Sequence, residues 1–201
     1  MSKITEKQKA AKGILYNANY DKEIITERLN CQELCYEYNL LKPSDLTERN
    51  KLIKAIIKKT GQNFMIEQPF RCDFGYRINM GDNFYSNYNL IILDGAEVTF
   101  GDNVFIGPNC GIYAAGHPYS TKLRKEGLEY AWPITIGNDV WIGGNVSIMG
   151  GVTIGAGTVI GAGSVVTKDI PGNVLAAGNP CRVIREITEQ DDLKYMKEFK
   201  K

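Results

Sequence analysis

A run of six-residue repeats over 134–166 constrains the fold of this chain more than any other feature. Apolar, mostly β-branched residues recur at every sixth position, and a second row stands two residues ahead of the first. The first row is Ile136, Ile142, Ile148, Ile154, Ile160 and Val166, and the second row is Ile134, Val140, Val146, Val152, Thr158 and Ser164. Gly, Asn and Asp fill many of the positions between the pairs.

A period of six excludes a helix. At about 100° per residue, successive repeats would lie about 240° apart and scatter their apolar residues over every face. In an extended chain six is an even number, so the two apolar residues of every repeat point to the same side. Gly, Asn and Asp suit the corners because they tolerate positive φ or bond their own backbone. The pattern therefore predicts a parallel β-helix, a short strand and a corner repeated many times.

The same rhythm continues upstream in a looser form. It is visible at Ile92, Val98, Val104 and Cys110, and again at Phe100, Ile106 and Ile112. Residues 113–133 then interrupt it with a charged, aromatic segment, after which the rhythm resumes in register. We interpret 113–133 as a loop inserted into the coil, and a long irregular insertion in a regular scaffold is typically functional.

The flanking segments have helical spacing. Apolar residues three to five positions apart predict a helix over 21–41, and Ser44 or Asp45 can cap a second helix that Gly61 would end. Such helices would cover an open edge of the coil. The fold class expected is mainly β. Its parts are a helical segment over 1–62, a parallel β-helix over 63–187 with the inserted loop 113–133, and a C-terminal helix over 188–201 that Thr188 would cap.

Composition limits the partners. The formal net charge is +1, which gives no overall field to attract nucleic acid or an anionic membrane. No stretch approaches the ~20 apolar residues of a spanning helix, and the polar N-terminus lacks the apolar segment of a secretion signal. We therefore expect a cytoplasmic protein with no nucleic-acid or membrane partner.

The five cysteines form no CxxC pair and no even disulfide framework. Cys31 and Cys35 lie one helical turn apart. Because the chain has a single histidine, we expect two packed thiols there and no metal site. A reducing compartment fits this cysteine usage.

Three groups of polar residues are candidates for chemistry. His117, in the sequence GHP at the root of the inserted loop, is the residue type best suited to accept and return a proton near neutral pH. Alone it could be an ordinary surface histidine, but its position favours a catalytic role. Lys168, Arg182 and Arg185 follow the coil, and could either hold the phosphates of a nucleotide-like ligand or form a solvated rim.

The third group is Asp73, Asn87 and Asp94, which are polar in apolar or aromatic surroundings. Carboxylate and amide groups can bind the hydroxyls of a sugar. They can equally serve as corner residues that bond their own backbone. The residues alone leave these two alternatives open.

The chain resembles the hexapeptide-repeat O-acetyltransferases of the maltose and galactoside acetyltransferase type. The resemblance rests on GILYNAN, PFRCDFGYRI, GDNVFIGPN, the GHP loop, ITIGNDVWIGGNVSI, GVTIGAGTVIGAGSVVTKDIP and GNPCRVIRE, which together span nearly all of the chain. It implies a left-handed parallel β-helix and a homotrimer whose active sites lie between subunits.

The resemblance also implies roles for residues. His117 would take the proton from an acceptor hydroxyl as that oxygen attacks the thioester of acetyl-coenzyme A, and would then protonate the leaving thiolate. Asn87 falls on an acceptor-site position, and no metal is implied. The residues that fall on coenzyme A contacts are Gly144, Ala162, Thr167, Lys168, Arg182 and Arg185.

The chain departs from the galactoside enzyme at acceptor contacts. That enzyme has acidic residues at the positions of Ala18 and Gly95, and serine at the position of Asp73. A sugar acceptor is still expected, but not a galactoside preference. The alternatives are an acetyltransferase for a xenobiotic alcohol or an amine, and a non-catalytic β-helix that serves as an assembly scaffold. A zinc-dependent hydratase is set aside, because its three imidazole ligands cannot come from one histidine per chain.

Overall fold

The computed structural model describes residues 4–198, with side chains described to residue 193. Within that range the helices are α1 Glu6–Ala11, α2 Lys22–Leu40, α3 Leu46–Ile56, α4 Thr121–Lys125 and α5 Glu189–Glu198. The strands are β1 Tyr16–Asn17, β2 Met65–Ile66, β3 Phe70–Cys72, β4 Ile78–Met80, β5 Tyr85–Ser86, β6 Leu90–Leu93, β7 Val98–Phe100, β8 Phe105–Ile106, β9 Gly111–Tyr113, β10 Ala115–Gly116, β11 Leu128–Ala131, β12 Ile134–Ile136, β13 Trp141–Ile142, β14 Ser147–Met149, β15 Thr153–Ile154, β16 Val159–Ile160, β17 Val165–Val166, β18 Val174–Ala177 and β19 Arg182–Glu186.

Most strands stack in parallel into three sheets that form the sides of a prism. The first sheet has the order β19-β18-β16-β13-β8-β5-β2, the second β17-β14-β9-β6-β3 and the third β15-β12-β7-β4. The chain visits the sheets in this order on every coil. We call the connection from first to second sheet the first corner, from second to third the second corner, and from third back to first the third corner. The predicted β-helix is confirmed, while its left-handed sense stays a prediction.

The two predicted rows of repeat residues both point into the prism. Every member of the two rows is at most 2 % exposed. Thr158 and Ser164 are the polar members, and each bonds to a backbone carbonyl inside the coil. Thr158 Oγ1 donates to Pro171 O at 2.8 Å, and Ser164 Oγ donates to Gly161 O at 2.5 Å. The core therefore keeps its buried hydroxyls hydrogen-bonded.

The third corner is built by asparagine and aspartate in the left-handed region. Asn83, Asn103 and Asp139 have φ of 55°, 55° and 57°. Asn83 Nδ2 donates to Asn103 Oδ1 at 2.9 Å, and Asn103 Nδ2 donates to Asp139 Oδ1 at 2.8 Å. The short polar side chains thus tolerate positive φ and link one coil to the next.

The looser rhythm upstream has a physical cause at the second corner. Tyr85 pairs with Phe105, 20 positions later, whereas Trp141 pairs with Val159, 18 positions later. The two additional residues of the early coils lie at the second corner. The inserted segment leaves the coil at this same corner, between β9 and β12.

The inserted segment is more ordered than the loop predicted over 113–133. Tyr113 is still the last residue of β9, and β10 and β11 form an antiparallel hairpin that contains α4. Strand β1 pairs with the other side of β11. The strands have two to four residues, too few to show a rhythm in sequence. A second small core lies beneath this sheet, made by Ala10, Tyr16, Ala18, Ile24, Phe74 and Ala131.

The N-terminal helices cover the edge of the first coil. Asn39 Nδ2 donates to Phe70 O at 2.9 Å, and Phe70 N donates to Asn39 Oδ1 at 2.8 Å. Buried Arg49 donates to Ile66 O at 2.8 Å and to Glu67 Oε2 at 2.9 Å. These side chains bond backbone groups of β2 and β3, which end their sheets, as expected for a cap.

Helix boundaries differ from the expectation in detail. Asp45, and not Ser44, caps α3, and this helix ends at Ile56 instead of at Gly61. The last part of the predicted C-terminal helix, residues 199–201, lies outside the described residues. Among helices between residues 4 and 198, none is both long and apolar enough to cross a bilayer.

Two adjacent positions of β12 test which face of the strand points into the core. Ile136→Asp places an unpaired carboxylate in the core and removes ~1.5–3 kcal/mol of apolar burial, so we expect no soluble folded protein. Thr135→Asp, on the exposed face of the same strand, should fold like the wild type. Soluble yield and circular dichroism measure both. Equal folding of the two variants would contradict the assignment of faces.

Candidate functional site

His117 lies at the second corner, directly after β10, with its side chain 53 % exposed. Its Nε2 is 3.7 Å from Oε1 of Glu129, a carboxylate on β11 whose side chain is 14 % exposed. The imidazole is therefore open to solvent on one side and has a carboxylate close to it on the other. The pair therefore has the composition of a general base and a group that stabilises its charged form.

Tyr16 supports Glu129 from the other side. Its hydroxyl donates to Glu129 Oε2 at 3.4 Å, and the pairing of β1 with β11 sets Tyr16 opposite Glu129. Burial, and then the charge of Glu129, raise the pKa of Tyr16 well above its ordinary value. The phenol thus stays a donor at neutral pH. Sequence reasoning missed both residues, since only the pairing of two distant strands unites them.

Asp94 has a structural position beneath the second corner. It is fully buried, and its Oδ1 accepts hydrogen bonds from the backbone N of Asp73 at 3.0 Å and of Phe74 at 2.9 Å. Burial raises the pKa of Asp94. Of the two alternatives open for Asp94, the geometry favours a corner residue that bonds backbone. Asp73 is only partly buried, and burial, followed by the charge of Asp94, raises the pKa of Asp73 to about 6.

Asn87 lies at the first corner, together with Gly144 and Ala162. Asn87 Oδ1 accepts from the backbone N of Tyr88 at 2.8 Å, which fixes the orientation of the amide. Gly144 O accepts from Gly163 N at 2.9 Å, so successive coils stack closely here. Small residues keep the backbone of this corner open to an extended ligand.

A row of aromatic side chains covers the outer face of the first sheet beside this corner. Tyr85, Phe105 and Trp141 stand in register on β5, β8 and β13. Phe105 is 49 % and Trp141 55 % exposed, and the row lines an open cavity of about 390 Å³ that includes Asn87. A continuous apolar patch of this kind is typical of an interaction surface.

The two predicted arginines share a face because of a bulge. Arg182 pairs with Ala177 and Arg185 with Leu175, although three positions separate the arginines. The bulge adds one residue to β19 and restores the same side for both. Arg185 also forms two hydrogen bonds, of 2.8 Å and 2.6 Å, with the carboxylate of Asp191. Sequence spacing gave no sign of this internal partner.

The predicted site residues fall into two sets. The first set lies at the second corner and comprises His117, Asp73 and Asp94. Two further residues follow β17 at the same corner of the last coil, namely Thr167 and Lys168. The other set comprises Asn87, Gly144 and Ala162 at the first corner, with Arg182 and Arg185 on the first sheet. The second sheet separates the two corners by about five residues, or ~16 Å. One chain therefore does not bring His117 and Asn87 to the same reacting atoms.

Two positions at which the chain departs from the galactoside enzyme are closed by packing. Ala18 is 1 % exposed. A Cβ added at Gly95 would lie 2.8 Å from Ala115 Cβ and 3.0 Å from the Tyr16 hydroxyl. Neither position has room for an acidic side chain in this packing.

The coil, its helical cap and the histidine hairpin define a transferase of the hexapeptide-repeat class. The sequence matches the maltose acetyltransferase hexapeptide capping motif over residues 9–61. It matches the six-repeat bacterial transferase hexapeptide over 133–168, and the hexapeptide repeat of succinyl-transferase over 97–118.

Whole-chain similarity narrows this class to a family. The galactoside O-acetyltransferase of Escherichia coli K12 is 52 % identical over 174 residues, which are 87 % of this chain and 86 % of that protein. The structure of a galactoside acetyltransferase in complex with coenzyme A superposes with a TM-score of 0.91 at 47 % identity, covering 94 % of each chain. A maltose O-acetyltransferase from Clostridium difficile 630 gives a TM-score of 0.90 at 45 % identity, covering 93 % of this chain and 100 % of that one. The chain belongs to the maltose and galactoside acetyltransferase family, and the resemblance inferred from sequence is confirmed.

Proposed function

We propose that this protein transfers the acetyl group of acetyl-coenzyme A to a hydroxyl of a sugar or glycoside. The observation that carries the proposal is His117 beside the partly buried Glu129, in a chain of this family. The transfer is direct. His117 accepts the hydroxyl proton while the acceptor oxygen attacks the thioester carbonyl. The tetrahedral intermediate then expels the thiolate, to which His117 returns the proton.

The chain's other residues prepare this step. Glu129 stabilises the imidazolium that forms when His117 takes the proton, and Tyr16 holds Glu129 in place. Asp73 and Asn87 serve as acceptor contacts, with Asp94 shaping the corner that presents Asp73.

The donor lies between the first corner of one chain and the second corner of the next. The backbone at Gly144 and Ala162 on the first corner, and at Thr167 on the second, follows its extended arm, since small side chains allow a close approach. Lys168, Arg182 and Arg185 bind its phosphates. In this role Arg185 binds a phosphate either in place of the Asp191 carboxylate or together with it.

The working unit is a homotrimer in which each active site lies between two chains. The division of the site residues between two corners supports this, because the second corner of one chain must meet the first corner of the next. The exposed aromatic row beside the first corner supports it as well. We also infer a cytoplasmic location, in agreement with five free cysteines, all buried.

His117→Ala tests the proposed base. Loss of a positioned general base should lower kcat by ~10²–10⁴-fold, while coenzyme A binding is kept. Thiol release with a panel of sugars measures the rate, and calorimetry measures binding. Tyr119→Ala, at a fully exposed position of the same hairpin, is the matched control and should keep wild-type activity. Acetylation by His117→Ala at the wild-type rate would refute the role.

Glu129→Gln tests the support of His117. At 3.7 Å the two groups are close enough for an ion pair but not for a hydrogen bond. An ion pair that reaches solvent contributes ~0.2–1 kcal/mol, so kcat should fall by roughly 1.5- to 5-fold with little change in KM for the donor. Glu126→Gln, an exposed residue of the same hairpin, removes an equal charge and should leave kcat unchanged. Equal rates for the two variants would exclude Glu129 from the mechanism.

A further inference from the structure

Three buried thiols meet beneath the N-terminal cap. Cys31 and Cys35 lie one turn apart on α2, and Cys72 is the last residue of β3. The Sγ of Cys72 is 3.5 Å from that of Cys31 and 3.9 Å from that of Cys35, and all three sulfurs lie within 4.8 Å of one another. Each residue is at most 5 % exposed. The sequence showed only the pair on the helix, and the fold adds the third sulfur.

We propose that Cys31, Cys35 and Cys72 form a thiolate site for a thiophilic divalent cation of the zinc class. The site joins α2 to the first coil of the prism. It takes no part in the acetyl-transfer chemistry at His117, and it does not depend on the proposed function.

The sulfur spacing fits such an ion. With a metal–sulfur distance of about 2.3 Å, two thiolates of a tetrahedral site lie ~3.8 Å apart. The distances of 3.5 Å and 3.9 Å from Cys72 lie on either side of that value. The sulfurs of Cys31 and Cys35 lie within 4.8 Å of each other, so side-chain shifts of up to about 1 Å bring all three pairs to the tetrahedral spacing.

The surroundings leave room for a fourth ligand. A cavity of about 160 Å³ lies beside Cys35 and Cys72, and it is also lined by Gln32, Arg71, Asp73, Ile91 and Leu93. It is large enough for a water molecule with polar partners. Three protein thiolates with a water in the fourth position is an arrangement that zinc accepts.

The charge balance favours a divalent over a monovalent ion. Binding breaks three S–H bonds, forms three metal–sulfur bonds and releases three protons to solvent. A divalent cation with three thiolates leaves one negative charge, and the cavity is lined by one cationic side chain, Arg71, and one carboxyl side chain, Asp73. A monovalent ion would leave two negative charges in the same buried place, at a larger desolvation cost.

The wild-type protein provides the first test, under reducing and oxygen-free conditions. We expect about one zinc ion per chain by native mass spectrometry, and with Co²⁺ the intense absorption of sulfur-to-cobalt charge transfer. Free Zn²⁺ at about 100 times Kd should raise the midpoint of thermal unfolding by roughly 5–10 °C. The Co²⁺ spectrum needs no variant, so it does not depend on how a variant folds.

Serine variants locate the ligands, and the chain contains its own controls. Cys31→Ser, Cys35→Ser and Cys72→Ser should each lose the cobalt band and the thermal shift. Cys110→Ser and Cys181→Ser change buried thiols elsewhere in the coil and should keep both. The proposal is wrong if wild-type protein shows no charge-transfer band, or if the control variants lose the band as the cluster variants do. A disulfide within the cluster under reducing conditions would equally overturn it.

Discussion

The even number of residues in each repeat of the extended chain is the constraint on which the rest of this structure depends. Because each repeat has six residues, every coil returns the same two positions to the interior, and the apolar rows stack without interruption. Ile148 and Ile160, two repeats apart, are both fully buried. Because the described strands turn these side chains inward, the chemistry of the protein belongs to the corners and outer faces of the coil.

The second corner is where this scaffold departs from regularity. The additional residues of the early coils, the hairpin that carries His117 and the turn held by Asp94 all lie there. An insertion at a corner leaves the strand register untouched, since the hairpin closes on itself before β12 resumes the coil. The scaffold can therefore hold an imidazole on a defined support, with Glu129 and Tyr16 behind it, at no cost to its own packing.

The regular part of the molecule could be predicted from sequence, and the reason is local. Between 134 and 166 each strand is specified by its own repeat, so counting positions identifies the buried faces. The helical cap could be predicted for the same reason, although the stop assigned to Gly61 was wrong because α3 ends earlier, at Ile56.

The features that sequence reasoning missed are contacts between distant segments. Glu129 meets Tyr16 only because β1 pairs with β11. Cys72 joins the two helical cysteines only because α2 lies over β3. The bond between Arg185 and Asp191 likewise follows from the turn after β19. No periodicity signals such pairs, and His117 could be chosen only by residue type and position.

The proposed active site takes residues from two corners on two different chains. Differently tagged His117→Ala and Asn87→Ala chains, each impaired alone, can be assembled together and purified by both tags. If every site joins His117 of one chain to Asn87 of the next, each trimer that carries both tags restores one of its three sites, or about a third of the wild-type number. Recovery of acetyl transfer to about that fraction is the predicted result. Mixed assemblies no more active than either parent would place the site within one chain and contradict the account.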